Sequence, residues 1–172
     1  MSAPSLHFLV RPELPSDVAD IDSVQRAAFS FHPHSNQTEH LIVRRLRTGG
    51  RLALSLVAET REGAIVGHAA FSPVTIDGQA LDWMGLGPLA VLPGSQGMGA
   101  GSALVHAGLA ALADRGAAGC VVFGEPGYYG RFGFQTGSTL RYPGAPGEYF
   151  LALALDGKPL PSGDVAYDPA FD

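Results

Sequence analysis

Apolar and polar positions alternate with two different periods along this chain, and the period changes where the predicted elements change. Residues 6–10 read as a short strand, ended by Arg11 and Pro12. Pro15, Ser16 and Asp17 carry helix-start chemistry, with Ser16 or Asp17 as the expected N-cap. Val18, Ile21, Val24 and Ala28 then recur at helical spacing, with Asp22 and Gln25 among them. Residues 31–37 read as a loop carrying His32 and His34 around Pro33. Residues 38–48 predict a second helix, with Leu41, Ile42 and Leu46 on one face and Arg44, Arg45 and Arg47 outside. Gly49 and Gly50 stop it.

Strands come next. Residues 53–60 predict one, Glu62 and Gly63 a turn, and residues 64–76 a longer one. Asp77 and Gly78 are a two-residue hairpin signal. Residues 80–91 complete a three-strand meander, but Gly85, Gly87 and Pro88 interrupt it. Proline cannot donate to a ladder, and glycine inside a strand marks a bulge or a close approach. The end of this strand is therefore expected to be poorly paired on one side, leaving the backbone of Leu89, Ala90 and Val91 free for a ligand. A helix follows over 102–115, with Leu104, Val105, Gly108, Leu109 and Leu112 on one face and Gly116 at its end. Residues 119–124 predict a strand, 125–131 a short turn or helix, Phe132, Gly133 and Phe134 the start of another strand, and 148–155 the last one. Residues 159–172, with three prolines, are expected to be mobile.

Composition narrows the class. The chain has 172 residues, 46% of them hydrophobic and 16% charged, which suits one compact domain. That domain is expected over 1–172, its core over 6–155 and a tail over 156–172. A formal net charge of −5 argues against a nucleic-acid partner. No apolar run reaches the roughly 18 residues of a membrane span. Residues 1–10 lack the pattern of a signal peptide. Cys120, the one cysteine, excludes an internal disulfide and a cysteine-cluster zinc site. The loop histidines lack carboxylate geometry, so no metal is expected. These features read as a cytoplasmic enzyme.

The stretch with the most chemistry is Gln96, Gly97, Met98, Gly99, Ala100 and Gly101, between a predicted strand and a predicted helix. Its glycines let the backbone turn and approach a ligand. The helix behind it, with Ser102 in its first turn, offers unpaired N–H groups and the positive end of its dipole. This is an anion site of the kind that holds phosphate. A dinucleotide fingerprint would need glycine in place of Ser102, and a P-loop would need Gly-Lys-Ser/Thr. The remaining reading is a plain strand-to-helix turn.

Gln-x-x-Gly-x-Gly at Gln96, Gly99 and Gly101 resembles the acetyl-coenzyme A signature of the GNAT superfamily of N-acetyltransferases. Tyr128, Tyr129, Gly130, Arg131, Phe132, Gly133 and Phe134 resemble that family's later Tyr…Gly-Phe motif, and the element order over about residues 6–155 is similar. The Leu-Gly-Pro-Leu-Ala-Val block and the turn Glu125, Pro126, Gly127, Tyr128, Tyr129 look closest to the YhbS-like bacterial branch. The resemblance implies a mixed α/β fold whose central sheet splays at the cofactor site and is flanked by helices. It implies acetyl-coenzyme A as co-substrate, its pantetheine arm along Leu89 and Val91 and its pyrophosphate on N–H groups from Gln96 through Ser102. It also implies that the segment between the first two helices borders the acceptor pocket.

Acetyl transfer to an amine needs a neutral amine, a stabilised thioester oxygen and a proton for the departing thiolate. The oxyanion donor is expected to be a backbone N–H near Leu89 or Ala90. The family places a tyrosine four residues before its Gly-Phe pair, and Tyr129 holds that position; Tyr128 stands second. No base is evident: Asp82, Glu125, Glu39 and the histidines all stay open, directly or through water. Cys120, inside Val-Val-Phe, reads as a buried thiol and not as a nucleophile. The expected activity is transfer of an acetyl group to a primary amine on a small molecule or peptide. The alternative is a protein of the same fold that binds acyl-coenzyme A without turnover. The oligomeric state stays open, a homodimer included.

Overall fold

The computed structural model describes residues 8–172. Leu6 and the rest of 1–7, where the first strand was expected to begin, lie outside them. In order, the described elements are β1 (Phe8–Pro12), α1 (Val18–Phe29), α2 (Glu39–Thr48), β2 (Leu54–Thr60), β3 (Ile65–Pro73), β4 (Thr75–Ile76), β5 (Trp83–Val91), α3 (Ala100–Asp114), β6 (Gly119–Phe123), α4 (Pro126–Tyr129), β7 (Leu140–Arg141), β8 (Phe150–Ala154) and β9 (Gly163–Ala166).

Six strands form one mixed sheet in the order β1-β2-β3-β5-β6-β8, antiparallel throughout except for the parallel pair β5–β6. Side-chain alternation sorts its two faces. Leu56, Phe71, Leu86 and Val122 point to the face covered by α3, where Leu104, Val105, Leu109 and Leu112 meet them. On the other face, Val57, Ala70 and Ala90 pack against Ile21 and Val24 of α1 and Val43 of α2. Beside α1 and α2, that face carries a smaller sheet in the order β4-β9-β7, packed through Val74, Ile76, Trp83, Val121 and Val165.

Several elements depart from the sequence expectation, each for a local reason. The long strand expected over 64–76 stops at Pro73, and the chain leaves the main sheet so that β4 pairs with β9. Asp77 and Gly78 do make the expected tight turn, both at positive φ, with Ile76 and Gln79 exchanging backbone hydrogen bonds. Phe132 and Gly133 do not start a strand: Phe132 ends a 3-10 turn and Gly133 is left-handed, so pairing is reduced to a single bridge between Gln135 and Ala152. Asp17 stands at the N-cap of α1, as expected, but its side chain bonds no N–H of that helix. The Asp17 carboxylate instead accepts from the Leu14 N–H and from Arg11, which holds it below the usual carboxylate range. On α2 the buried positions are Val43 and Leu46, with Leu41 and Ile42 only half-buried.

The largest correction concerns the expected tail. Gly163–Ala166 is the central strand of the smaller sheet, Ala170 is buried, and Arg45 donates to the carbonyls of Ala170 and Asp172. Arg51 pairs with Asp168. The prolines fall in loops and at the start of a 3-10 turn, where they cost no ladder hydrogen bond.

Candidate functional site

The site begins where β5 loses a partner. Parallel pairing with β6 runs from Trp83 opposite Gly119 to Leu86 opposite Val122 and goes no further. Pairing with β3 continues to Val91 opposite Gly67. Between them the register slips: Ala69 faces Leu89 and Phe71 faces Leu86, so β5 carries an extra residue at Gly87 and Pro88. Such a bulge turns the strand end away from its neighbour. The edge of Leu89, Ala90 and Val91 that would have faced β6 is therefore open to another hydrogen-bonding partner. The side chains of Leu89 and Val91 lie with the α3 cluster and that of Ala90 with α1.

The chain then turns through a 3-10 segment, Pro93–Ser95, into the glycine loop. Gly97 (φ 77°) and Gly99 (φ 91°) adopt left-handed backbone, which explains glycine at both places. The helix starts at Ala100, two residues earlier than expected, with Gly99 at its N-cap and no side chain capping it. Its first N–H groups, those of Ala100, Gly101 and Ser102 included, have no intrahelical acceptor. Met98 is exposed on the loop. The Gln96 side chain does not face this nest: its amide donates to the Val91 carbonyl at 3.2 Å, tying the loop to the end of β5.

The short helix α4 brings two tyrosines to this region in different ways. The Tyr129 ring packs beneath the sheet against Phe134 (6.0 Å between centroids) and in the α3 cluster. It also covers Gly124, where a β-carbon would fall 2.5 Å from the ring. Burial pushes the Tyr129 phenol well above its ordinary range, so it stays protonated at neutral pH. Tyr128 reaches the other way, its hydroxyl 2.6 Å from where a β-carbon of Gly101 would lie.

One residue was missed from the sequence. Arg131 lies over the Tyr128 ring (4.6 Å to the centroid) and donates to Ser102 Oγ at 3.3 Å. It sets a cation beside the open N-terminus of α3. The signal was present, a lone arginine inside the Tyr…Gly-Phe block, but only the folded turn shows where it points.

The open base candidates do not converge. Asp82 and Glu125 are exposed, and the Glu39 carboxylate accepts from Ser35. His32 and His34 are exposed, with the His32 ring tilted against Phe29. His68, in β3 opposite Ala90, is fully buried and committed elsewhere: Gln25 Nε2 donates to its Nδ1 (2.8 Å), and its Nε2 donates to Ser55 Oγ (2.7 Å). Cys120 is buried, which pushes its thiol up and leaves it protonated. Among the described residues no three His, Cys, Asp or Glu side chains gather as a metal site, and no helix is long and apolar enough to cross a membrane.

A mixed sheet opened at one parallel pair, beside a glycine turn and an uncapped helix, defines an acyl-coenzyme A-dependent acyltransferase fold. The profile of the acetyltransferase (GNAT) family matches residues 19–134, and the chain belongs to that family. It is 37% identical over 170 residues to the uncharacterised N-acetyltransferase YhbS of Escherichia coli K12, covering 96% of this chain and 99% of the relative. Among solved structures, a GNAT family acetyltransferase from Brucella melitensis in complex with acetyl-CoA is 48% identical, with a TM-score of 0.86 over 97% of this chain and 99% of that one. The E. coli YhbS structure in complex with CoA is 36% identical, with a TM-score of 0.84 over 99% of this chain and 95% of that one.

Proposed function

We propose that this protein is an acetyl-coenzyme A-dependent N-acetyltransferase acting on a primary amine, with the whole chain as one catalytic unit. The observation that carries the reading is the released edge of β5 immediately before an uncapped helix N-terminus. An extended amide-bearing arm can pair with the first and a pyrophosphate can be held by the second. The relatives solved with acetyl-CoA and CoA support the same choice of co-substrate.

In this reading Leu89, Ala90 and Val91 hold the pantetheine arm, and N–H groups of Gly97, Met98, Gly99, Ala100, Gly101 and Ser102 hold the pyrophosphate, the Gln96 N–H being given instead to the Pro93 carbonyl. Bound there, acetyl-coenzyme A supplies an activated thioester. The chain does the rest. A backbone N–H near Leu89 or Ala90 donates to the thioester oxygen as charge develops. A new C–N bond forms to the amine and the C–S bond breaks. The amine proton leaves to solvent, Tyr129 passes its phenolic proton to the departing sulfur, and the phenolate takes a proton back from solvent. An unperturbed phenol, pKa about 10, would match a thiol of about 8.5. Burial lifts Tyr129 above that match, so its phenol is a weaker acid than a free one and the phenolate formed is short-lived.

A second reading, binding of acyl-coenzyme A without turnover, is favoured by the scatter of the base candidates. Thiol release from acetyl-coenzyme A across a panel of amines decides between them. Release that depends on an amine supports the transferase; tight binding with no release under any amine overturns it. A cytoplasmic setting belongs to the same proposal, supported by the single free, buried Cys120.

A further inference from the structure

The acceptor side of the site carries an aromatic wall that the co-substrate does not use. Phe123 is the last residue of β6, one beyond the final β5–β6 pair, so it stands at the fork of the sheet. Its ring is 45% exposed and meets Tyr142 (6.0 Å) and Tyr149 (6.3 Å) edge to face. Tyr142 is held from behind by Phe150 (5.5 Å) and Tyr167 (5.1 Å), so the wall is backed by the smaller sheet. Tyr129 lies on the opposite face, with the α3 cluster, and Gly124 links the two regions. The face with α3 and α4 is the one the glycine loop serves. An amine must then reach the fork from the face of Phe123.

The charge left unpaired beside this wall, among the described residues, is acidic. Glu125 follows Gly124 and Glu148 precedes Tyr149; both are exposed, and neither is in an ion pair among the described residues. Burial and then the nearby Asp172 carboxylate raise the Tyr142 phenol, so that ring stays neutral. Arg141, next along β7, is engaged by Asp164 at 2.9 Å. Both cation–π contacts among the described residues belong to Arg131, on the other face, so none of those residues sets a cation over these three rings. Aromatic faces flanked by free carboxylates attract an organic cation.

Resting on the transferase reading, we propose that Phe123, Tyr142 and Tyr149 form an acceptor subsite selecting small amines with a second, cationic amino group. The distal ammonium lies against the rings with Glu125 and Glu148 near it, while the reacting amine reaches the fork.

The test compares cadaverine with pentylamine, which has the same chain but one amino group, and with phenethylamine. Cadaverine is expected to exceed pentylamine in kcat/KM by about tenfold, as one desolvated cation–π contact allows. In Phe123→Leu and in Tyr149→Leu the ratio is expected to fall toward one, with acetyl-coenzyme A binding and melting temperature reporting that each variant is folded. Equal rates for the two aliphatic amines, a ratio that survives both substitutions, or a preference for phenethylamine would overturn the subsite. Calorimetry of cadaverine against the CoA-loaded protein separates the two levels. Binding that depends on Phe123 and Tyr149 without turnover of any amine supports the subsite and overturns the transferase.

Discussion

The hydroxyl of Tyr128 rests on Gly101, in the space a β-carbon would need: the two would be 2.6 Å apart. This contact packs the α4 turn onto the first turn of α3. Gly101→Ala therefore displaces Tyr128, and Arg131 with it, from the helix N-terminus. The expected result is a fall in acetyl-coenzyme A affinity on the order of tenfold, about one charge-assisted contact, in a protein that still folds. Gly99→Val should also weaken binding, because valine is poorly suited to a φ of 91°. Calorimetric titration reads both, and parental affinity in either variant would make the loop an ordinary turn.

Tyr129 separates chemistry from binding. Its hydroxyl is asked to act only as the thiolate departs, so its loss should appear in kcat. Tyr129→Phe is expected to bind acetyl-coenzyme A almost normally and to turn over roughly 10²-fold more slowly, within the range of general acid catalysis. Tyr128→Phe should cost less. Full turnover in Tyr129→Phe would leave the thiolate to take its proton from water.

Arg131 should behave as an anchor for negative charge. Its guanidinium stands at Ser102 and is exposed, so its attraction for a phosphate is screened by salt. Arg131→Ala is expected to weaken acetyl-coenzyme A about tenfold at low salt and less at high salt, with kcat little changed. An affinity loss independent of salt would point to packing on Tyr128 and Phe132 instead.

Selectivity of the nest can be read without any acceptor. Acetyl-coenzyme A should raise the melting temperature by mass action, and NAD or ATP much less at the same concentration. A larger shift with NAD would contradict the proposed ligand.

What the sequence made legible follows a physical division. Local signals were readable: the glycine loop, the α3 face from Leu104 to Leu112, and the weak end of β5 at Gly87 and Pro88 all rest on nearest-neighbour chemistry. What was not readable depends on distant partners. The segment after residue 155 has weak periodicity of its own, and β9 exists because β4 and β7 flank it. Phe132 and Gly133 look like a strand start until the packing of Tyr128, Tyr129 and Phe132 fixes them as a turn. The aromatic wall joins Phe123, Tyr142 and Tyr149 from three separate segments, so no spacing rule could find it.

Removing residues 163–172 tests the role of that segment. The cut takes away the middle strand of the smaller sheet, including Val165, and the Tyr167 ring that lies against Gly85. Losing the buried Val165 and the partly buried Tyr167 ring costs several kcal/mol. The melting temperature should fall by roughly 10 °C or more in a protein of this size. A mobile tail would come off with no shift.

The last expectation concerns acid. His68 is fully buried between Gln25 and Ser55, and burial lowers it from 6.5 to about 4; Glu13 opposes that shift and Arg47 adds to it. In the unfolded chain the ring takes its proton near 6.5, while in the fold it stays neutral down to about 4. The unfolded state therefore binds more protons across that window, and stability must decline as pH falls through it. The contribution is complete above about 6.5 and gone below about 4. Its size is on the order of 3 kcal/mol, taking 1.36 kcal/mol per pKa unit. Urea unfolding at several pH values across the window should show the decline. His68→Gln should be less stable at neutral pH but have a shallower slope, because the group that titrates is gone. An equally steep slope in that variant would assign the acid sensitivity to carboxylates, Glu13 and Asp17 first among them, since both are held below their ordinary range in the fold.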